Sequence, residues 1–228
     1  MKGQLIAFSG LDGAGKSTQI ELLLRTLAAE GRTPVYLWVR GGYTPLFNAL
    51  KETLRRLSRG RALPPSGRNA ARNRAFARPW VRQLWLRLAM LDLLWVYGIR
   101  VRAWLLAGKT VVCDRYLWDT LVDFRLNFPA DRVEEMWLWR LLARVSPRPR
   151  TAFLMLVPVD ESLRRSRQKA EPFPDSAETL TARREQYLSL AASAGWTVLD
   201  GTLPIQILAG QILDAVSSQP PCGVKVAA

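Results

Sequence analysis

Eight residues near the start of the chain, Gly10-Leu11-Asp12-Gly13-Ala14-Gly15-Lys16-Ser17, have the types and spacing of a loop built to hold phosphate. Glycines at positions 10, 13 and 15, with the small Ala14, let successive backbone N–H groups turn inward around an anion. A helix opening at the end of the loop adds the positive end of its dipole. Lys16 has the reach to touch the outer phosphates, the Ser17 hydroxyl suits a Mg²⁺ ion, and Thr18 continues the polar edge. Far along the chain, Val111-Val112-Cys113-Asp114-Arg115-Tyr116 sets an acid and a guanidinium side by side after an apolar run. Asp114 can order the hydration shell of that ion, while Arg115 can grip a second phosphate group. That pairing suits phosphoryl transfer to a phosphorylated small molecule. The bland readings are a glycine-rich turn and a local surface ion pair.

Other chemistries are closed off by composition. The 228 residues contain no histidine, which excludes Ser-His-Asp and Cys-His catalysis and histidine-ligated metals. The two cysteines, Cys113 and Cys222, lie too far apart to form a metal or redox pattern. The first residues lack the order of a signal peptide, and the most apolar region, 84–107, is broken by Arg87, Asp92, Arg100 and Arg102. A cytoplasmic setting is therefore expected.

To bring residues 10–17 and 114–116 together, the chain must build a sheet. Leu5–Phe8, Thr33–Val39, Lys109–Cys113, Thr151–Val157 and Trp196–Leu199 are short apolar runs without alternation, separated by helical stretches such as Gln19–Ala29. That order implies an α/β fold, a parallel sheet covered by helices on both faces. The expected organisation is one domain over residues 1–216, closed by a helix ending near Val216, and a fraying tail at 217–228. Asp160 is expected to cap a helix bearing Arg164, Arg165, Arg167 and Lys169.

The phosphate-loop class is wide. No Asn-Lys-x-Asp segment for reading guanine is present, which argues against a GTPase. The run Phe8 to Gln19, the Asp114-Arg115-Tyr116 triplet and the late segment Glu178 to Tyr187 together resemble the thymidylate kinase family over nearly the whole chain up to residue 216. The resemblance implies a P-loop NTPase fold, three layers α/β/α around a five-stranded parallel sheet. It also implies transfer of the γ-phosphoryl group of ATP to a nucleoside monophosphate, with Mg²⁺ and with dTMP as leading acceptor.

Carried over by position, the resemblance gives Gly10, Gly13, Ala14, Gly15, Lys16, Ser17 and Thr18 to ATP, and Ser17 and Asp114 to the metal. Asp12 falls near the acceptor sugar and phosphate, and Arg115 and Arg40 on the acceptor phosphate, with Tyr116 beside them. Residues 160–177 become a lid whose Arg164 or Arg167 supplies positive charge to the transition state. The family's thymine-reading positions are occupied here by Leu93, Asp123 and Phe124, so Asp92 and Arg100 stand as replacement contacts.

Two features fall outside that scheme. Residues 51–87 hold Lys51 and ten arginines against the single acid Glu52, a surplus of ten within a net charge of +14. This basic arm reads either as a solvated helical face or as a contact for an anionic surface. Trp85, Leu88, Leu91 and Trp95 form a helical stripe expected to face the core or a second copy, and the resemblance favours a homodimer. The alternatives are a kinase on this scaffold for another phosphorylated metabolite, and an ATP-binding module docking on nucleic acid or membrane through the arm.

Overall fold

The computed structural model describes residues 3–42, 44, 47, 53, 74–169 and 175–218. Its strands are β1 (Gln4–Gly10), β2 (Pro34–Trp38), β3 (Thr110–Asp114), β4 (Thr151–Leu156) and β5 (Thr197–Asp200), all parallel in the order β2-β3-β1-β4-β5. Each expected run is a strand, with ends moved by one or two residues. β1 and β3 continue past their apolar stretches because pairing carries on to Gly10 and Asp114, where the chemistry begins.

Between β1 and β2 lies α1 (Lys16–Ala29), which starts three residues earlier than its apolar periodicity suggests because the phosphate loop feeds directly into it. A long helical rod follows, made of α2 (Pro79–Leu93), a π-helical stretch (Leu94–Val101) and α3 (Arg102–Leu106). After β3 come α4 (Leu117–Asn127) and α5 (Trp137–Val145). After β4 come α6 (Val159–Gln168) and α7 (Ala177–Ala194), and α8 (Ile205–Ser218) closes the chain. One face of the sheet packs Ile6, Phe8 and Val112 against Ile20 and Leu23 of α1 and Leu208 and Ile212 of α8. The other buries Leu5, Val111 and Leu154 against Leu86, Met90, Leu121, Leu142 and Tyr187.

Two expectations shift. Asp160 does not cap its helix: it sits in the first turn of α6, behind an N-cap at Pro158. The tryptophan stripe divides, with Trp85 buried, Leu88 half-buried, and Leu91 and Trp95 exposed. Two successive three-residue steps turn the helix less than full circles, so the stripe drifts off the face that Leu86, Ala89, Met90 and Leu93 keep buried. Residues 51–52 and 54–73 of the basic arm, 170–174 of the lid and 219–228 of the tail lie outside the described residues.

Gly10 marks how tightly β1 delivers the loop. Its φ is 137°, and a Cβ there would meet the Met155 carbonyl oxygen at 2.0 Å in the neighbouring strand. Gly10→Ala should cost at least about 3 kcal/mol. Thermal denaturation should show a midpoint roughly 10 °C lower.

Candidate active site

At the C-terminal ends of β1 and β3 the chain leaves the sheet, and there the loop curls through two left-handed glycines, Gly13 (φ 75°) and Gly15 (φ 88°). Lys16 is buried, and its Nζ donates to the carbonyls of Gly10 at 3.1 Å and Leu11 at 2.6 Å. Burial is the largest influence on this amine; together with Arg115 it brings the pKa down to about 8. Ser17 and Thr18 are exposed at the helix start, where the first N–H groups have no intrahelical partner. A cavity of about 190 Å³ is lined by the loop from Asp12 to Ser17, with Trp38, Asp114, Arg115 and Lys169.

The donor set in this cavity fits Mg²⁺. A hydroxyl on Ser17 and a carboxylate on Asp114 offer hard oxygens, and no group of three His, Cys, Asp or Glu gathers among the described residues. Such a sparse set suits an ion held mainly by phosphate and water. The Tyr36 hydroxyl, on β2, donates to Oδ2 of Asp114 at 3.1 Å and fixes that carboxylate.

A second cavity, about 310 Å³, opens on the other side of the loop between α6 and the turn after β5. Gly201 in that turn approaches so closely that a Cβ would stand 2.6 Å from the Ala14 carbonyl. Arg165 spans the gap, its NH1 donating to the carbonyls of Gly13 (3.1 Å) and Gly201 (3.0 Å) and its Nε to Glu161 (2.5 Å). The Ser162 hydroxyl donates to the Asp12 carbonyl at 2.6 Å, so α6 is seated on the phosphate loop. Of the two arginines expected to act from this helix, Arg164 points outward and is held by two bonds to Glu161, and Arg167 is exposed. Their hydrogen bonds, Arg164 first and Arg165 second, draw Glu161 down to about 2.

Opposite the loop, Arg115 has a left-handed backbone (φ 72°), a strained conformation for a residue with a side chain. Its guanidinium is buried, donates to Asp12 and lies 3.6 Å from Asp119. Burial opposes its charge, but Tyr187, Asp12 and Asp119 outweigh that and raise its pKa. Asp119 is fully engaged, receiving Ser9 Oγ and Tyr187 OH at 2.6 Å each and the Tyr116 N–H at 2.9 Å. Asp123, one turn on along α4, accepts both Nε (2.6 Å) and NH2 (3.1 Å) of Arg40 and NH1 of Arg183 at 2.5 Å. Burial pushes its carboxyl up, yet Arg183 and Arg40 hold it at about 2.

Of the residues singled out in the sequence, Asp12, Lys16, Ser17, Asp114 and Arg115 meet around one cavity, and Arg40 joins them through Asp123. Tyr116 turns away: its hydroxyl donates to the Pro147 carbonyl at 2.6 Å, and its ring packs on Tyr97. Asp92 is buried on α2, accepts the Thr44 hydroxyl at 2.5 Å and does not line that cavity. Sequence reasoning missed Tyr36, Asp119, Arg165 and Arg183 as site residues. The i, i+4 spacing of Asp119 and Asp123 was the one local signal for part of this set, since it puts two carboxylates on one helix face.

A phosphate loop at the C-terminal edge of a parallel sheet, facing an arginine that a second carboxylate steers, defines a P-loop phosphotransferase. The comparisons narrow the class. The family model described as thymidylate kinase matches residues 94–212. A thymidylate kinase of Thermomicrobium roseum is 31% identical over 221 residues, covering 93% of this chain and 93% of that one. One from Bartonella henselae is 30% identical over 226 residues, covering 94% and 95%. The solved thymidylate kinase structure from Candida albicans, 17% identical, shares the fold with a TM-score of 0.62 over 95% of this chain and 92% of that one. The chain belongs to the thymidylate kinase family and is a nucleoside monophosphate kinase.

Proposed function

We propose that this protein transfers the γ-phosphoryl group of ATP to dTMP, giving dTDP and ADP. The observation carrying the proposal is that Lys16 of the phosphate loop and Arg115 of the opposing turn line one cavity, with Asp12 paired to Arg115 between them. Lys16 and the loop N–H groups of Gly13, Ala14 and Gly15 take the donor phosphates. Arg115, with Arg40 behind it, takes the acceptor phosphate. Asp12 orients Arg115 and faces the acceptor. When bound, Mg²⁺ neutralises charge on the phosphates; Ser17 and Asp114 would hold it. Such transfer depends on positioning and cationic stabilisation more than on covalent help.

The test is ADP release in a coupled assay across a panel of monophosphates. Strong stimulation by dTMP supports the proposal. Stimulation by a different monophosphate alone would reassign the acceptor. No stimulation by any, with salt-dependent polynucleotide binding, would favour the docking module instead.

Arg165 already lies against the loop, whereas Arg164 is turned to Glu161 and Arg167 to solvent. Replacing each in turn with methionine should lower kcat most for Arg165, on the order of 100-fold. Equal, small losses for all three would remove the lid from the mechanism.

The same reading takes the protein as cytoplasmic, and as a pair of copies joined along the long helical rod. Supporting this, no helix of the described residues is long and apolar enough to cross a membrane, and Leu91, Trp95 and Ile99 are exposed together on the rod. The basic arm, 51–87, is proposed as a contact for anionic surfaces. Where it is described, Arg82 is instead committed to Asp131 at 2.8 Å, while Arg74, Arg78 and Arg87 are exposed.

A further inference from the structure

Helix α7 meets α4 through two matched pairs of polar side chains. On α4, Asp119 and Asp123 are four residues apart and share a face, and on α7 Arg183 and Tyr187 have the same spacing. The Tyr187 hydroxyl donates to Oδ1 of Asp119 at 2.6 Å, and NH1 of Arg183 donates to Oδ1 of Asp123 at 2.5 Å, so the pairs form two rungs between the helices. All four residues are buried. Each rung ends on an arginine assigned to the acceptor phosphate. Asp119 lies 3.6 Å from NH1 of Arg115, and Asp123 accepts Nε and NH2 of Arg40. The loop carrying Arg40 is pressed on α4 as well: a Cβ at Gly41 would stand 3.0 Å from the Thr120 methyl and 3.1 Å from the Phe124 ring.

Stability alone gives no reason for a cation in the second rung. A buried ion pair can often be replaced by packed apolar side chains without loss, because desolvating the charges offsets their attraction. Asp123 already has a counter-charge in Arg40, yet a second guanidinium is buried beside it with its Nε unpartnered. What this second cation adds is geometry. Three N–H bonds from two directions fix the plane of the Asp123 carboxylate, and Asp175, 3.3 Å from NH2 of Arg183, holds the far side of that guanidinium. The charge is also felt in the site. Burial pushes the Asp12 carboxyl up, but Arg115, Lys16, Arg183 and Arg40 outweigh it and lower its pKa.

We infer that Arg183 is a positioning residue for the acceptor phosphate: through Asp123 it fixes the direction in which the Arg40 guanidinium points. The inference rests on the kinase reading above and deepens it. Arg183 does not itself line the phosphate cavity, so its effect on the acceptor passes through Arg40.

The test is a double-mutant cycle with Arg40, measured with whichever monophosphate stimulates ADP release. Arg183→Met should lower kcat/KM for that acceptor by roughly 10- to 100-fold, with the KM for ATP within about twofold of the wild type. In an Arg40→Met background the same change should cost no more than about twofold, because the group it positions is gone. Equal losses in the two backgrounds, a matching rise in the KM for ATP, or no loss at all overturns the inference. If Arg183→Met melts below the assay temperature, Arg183→Lys, which keeps the charge and one donor, goes through the same cycle; its loss should be about tenfold and must likewise vanish beside Arg40→Met. If no monophosphate stimulates ADP release, it is the kinase reading that falls. Calorimetric binding of inorganic phosphate then decides the rung separately: weakening by Arg183→Met that disappears beside Arg40→Met supports it, and equal or absent binding overturns it.

Discussion

Lys16→Ala is expected to abolish measurable transfer, lowering kcat/KM by about 10³-fold or more while the protein stays folded. In the structure the ammonium is folded back on the carbonyls of Gly10 and Leu11, so the loop already has the shape it needs and the lysine has only to exchange two backbone oxygens for phosphate oxygens. Removing it takes away one buried amine and its two carbonyl bonds but touches no strand pairing, which is why folding should survive. Calorimetric ATP titration and a melting curve on the variant would check both halves.

The same residue sets a pH dependence. Burial has brought its pKa from 10.5 to about 8, so above pH 8 the ligand-free protein increasingly holds a neutral amine. ATP binding needs the ammonium, and the KM for ATP should climb towards tenfold per pH unit beyond that point. The sign for stability is opposite. Between pH 8 and 10.5 the unfolded chain binds more protons at this position than the folded one, so the contribution of Lys16 increasingly favours folding as pH rises through that window.

Arg115→Met should damage both activity and fold. Its guanidinium lies between Asp12 and Asp119, and the Asp119 side chain is 2% exposed. Deleting the cation leaves the buried Asp119 and the partly exposed Asp12 without their counter-charge, a change worth about 3–5 kcal/mol. The melting midpoint should fall by on the order of 10 °C. Turnover should drop by at least about 10²-fold through loss of the grip on the acceptor phosphate. Arg115→Lys separates the two effects: a point charge restores much of the stability, but it has no planar fork and should leave most of the activity missing. Full activity in the lysine variant would mean that Arg115 serves the fold alone.

How much of this was readable beforehand depended on whether a residue acts through its neighbours in sequence or through distant ones. The phosphate loop declares itself because its glycines, lysine and serine must be contiguous to surround a phosphate. Asp114-Arg115 is visible because the acid ends a strand that apolar composition already marks. The five strands follow from short apolar runs, and their ends moved by at most two residues, outward where pairing continues to Gly10, Asp114 and Asp200 and inward at Pro34, Trp38, Thr110, Leu156 and Thr197. Arg165 could not be told from Arg164 or Arg167, since one residue along a helix turns the side chain through about 100° and only docking on the loop fixes the phase. Arg183 and Asp123 are partners 60 positions apart, and Tyr187 and Asp119 are 68 apart. Nothing local in the sequence announces such pairs. The splitting of the tryptophan stripe had a periodicity signal, yet its drift from the buried face emerges only when the neighbouring residues are placed against the sheet.

The order β2-β3-β1-β4-β5 has a further consequence for how this protein comes into being. The strand that carries the phosphate loop is the first to be synthesised and the innermost in the sheet, and both its neighbours lie far downstream, β3 beginning at Thr110 and β4 at Thr151. On the ribosome, residues 4–17 therefore wait for their first strand partner until about half of the chain has been made and for the second until β4, which makes this a fold of long-range closures and slow assembly. Nucleotide binding becomes available late, when β4 arrives to seat Gly10 against Met155. A nascent chain released before that strand would carry the whole phosphate-binding motif and yet be unable to shape it.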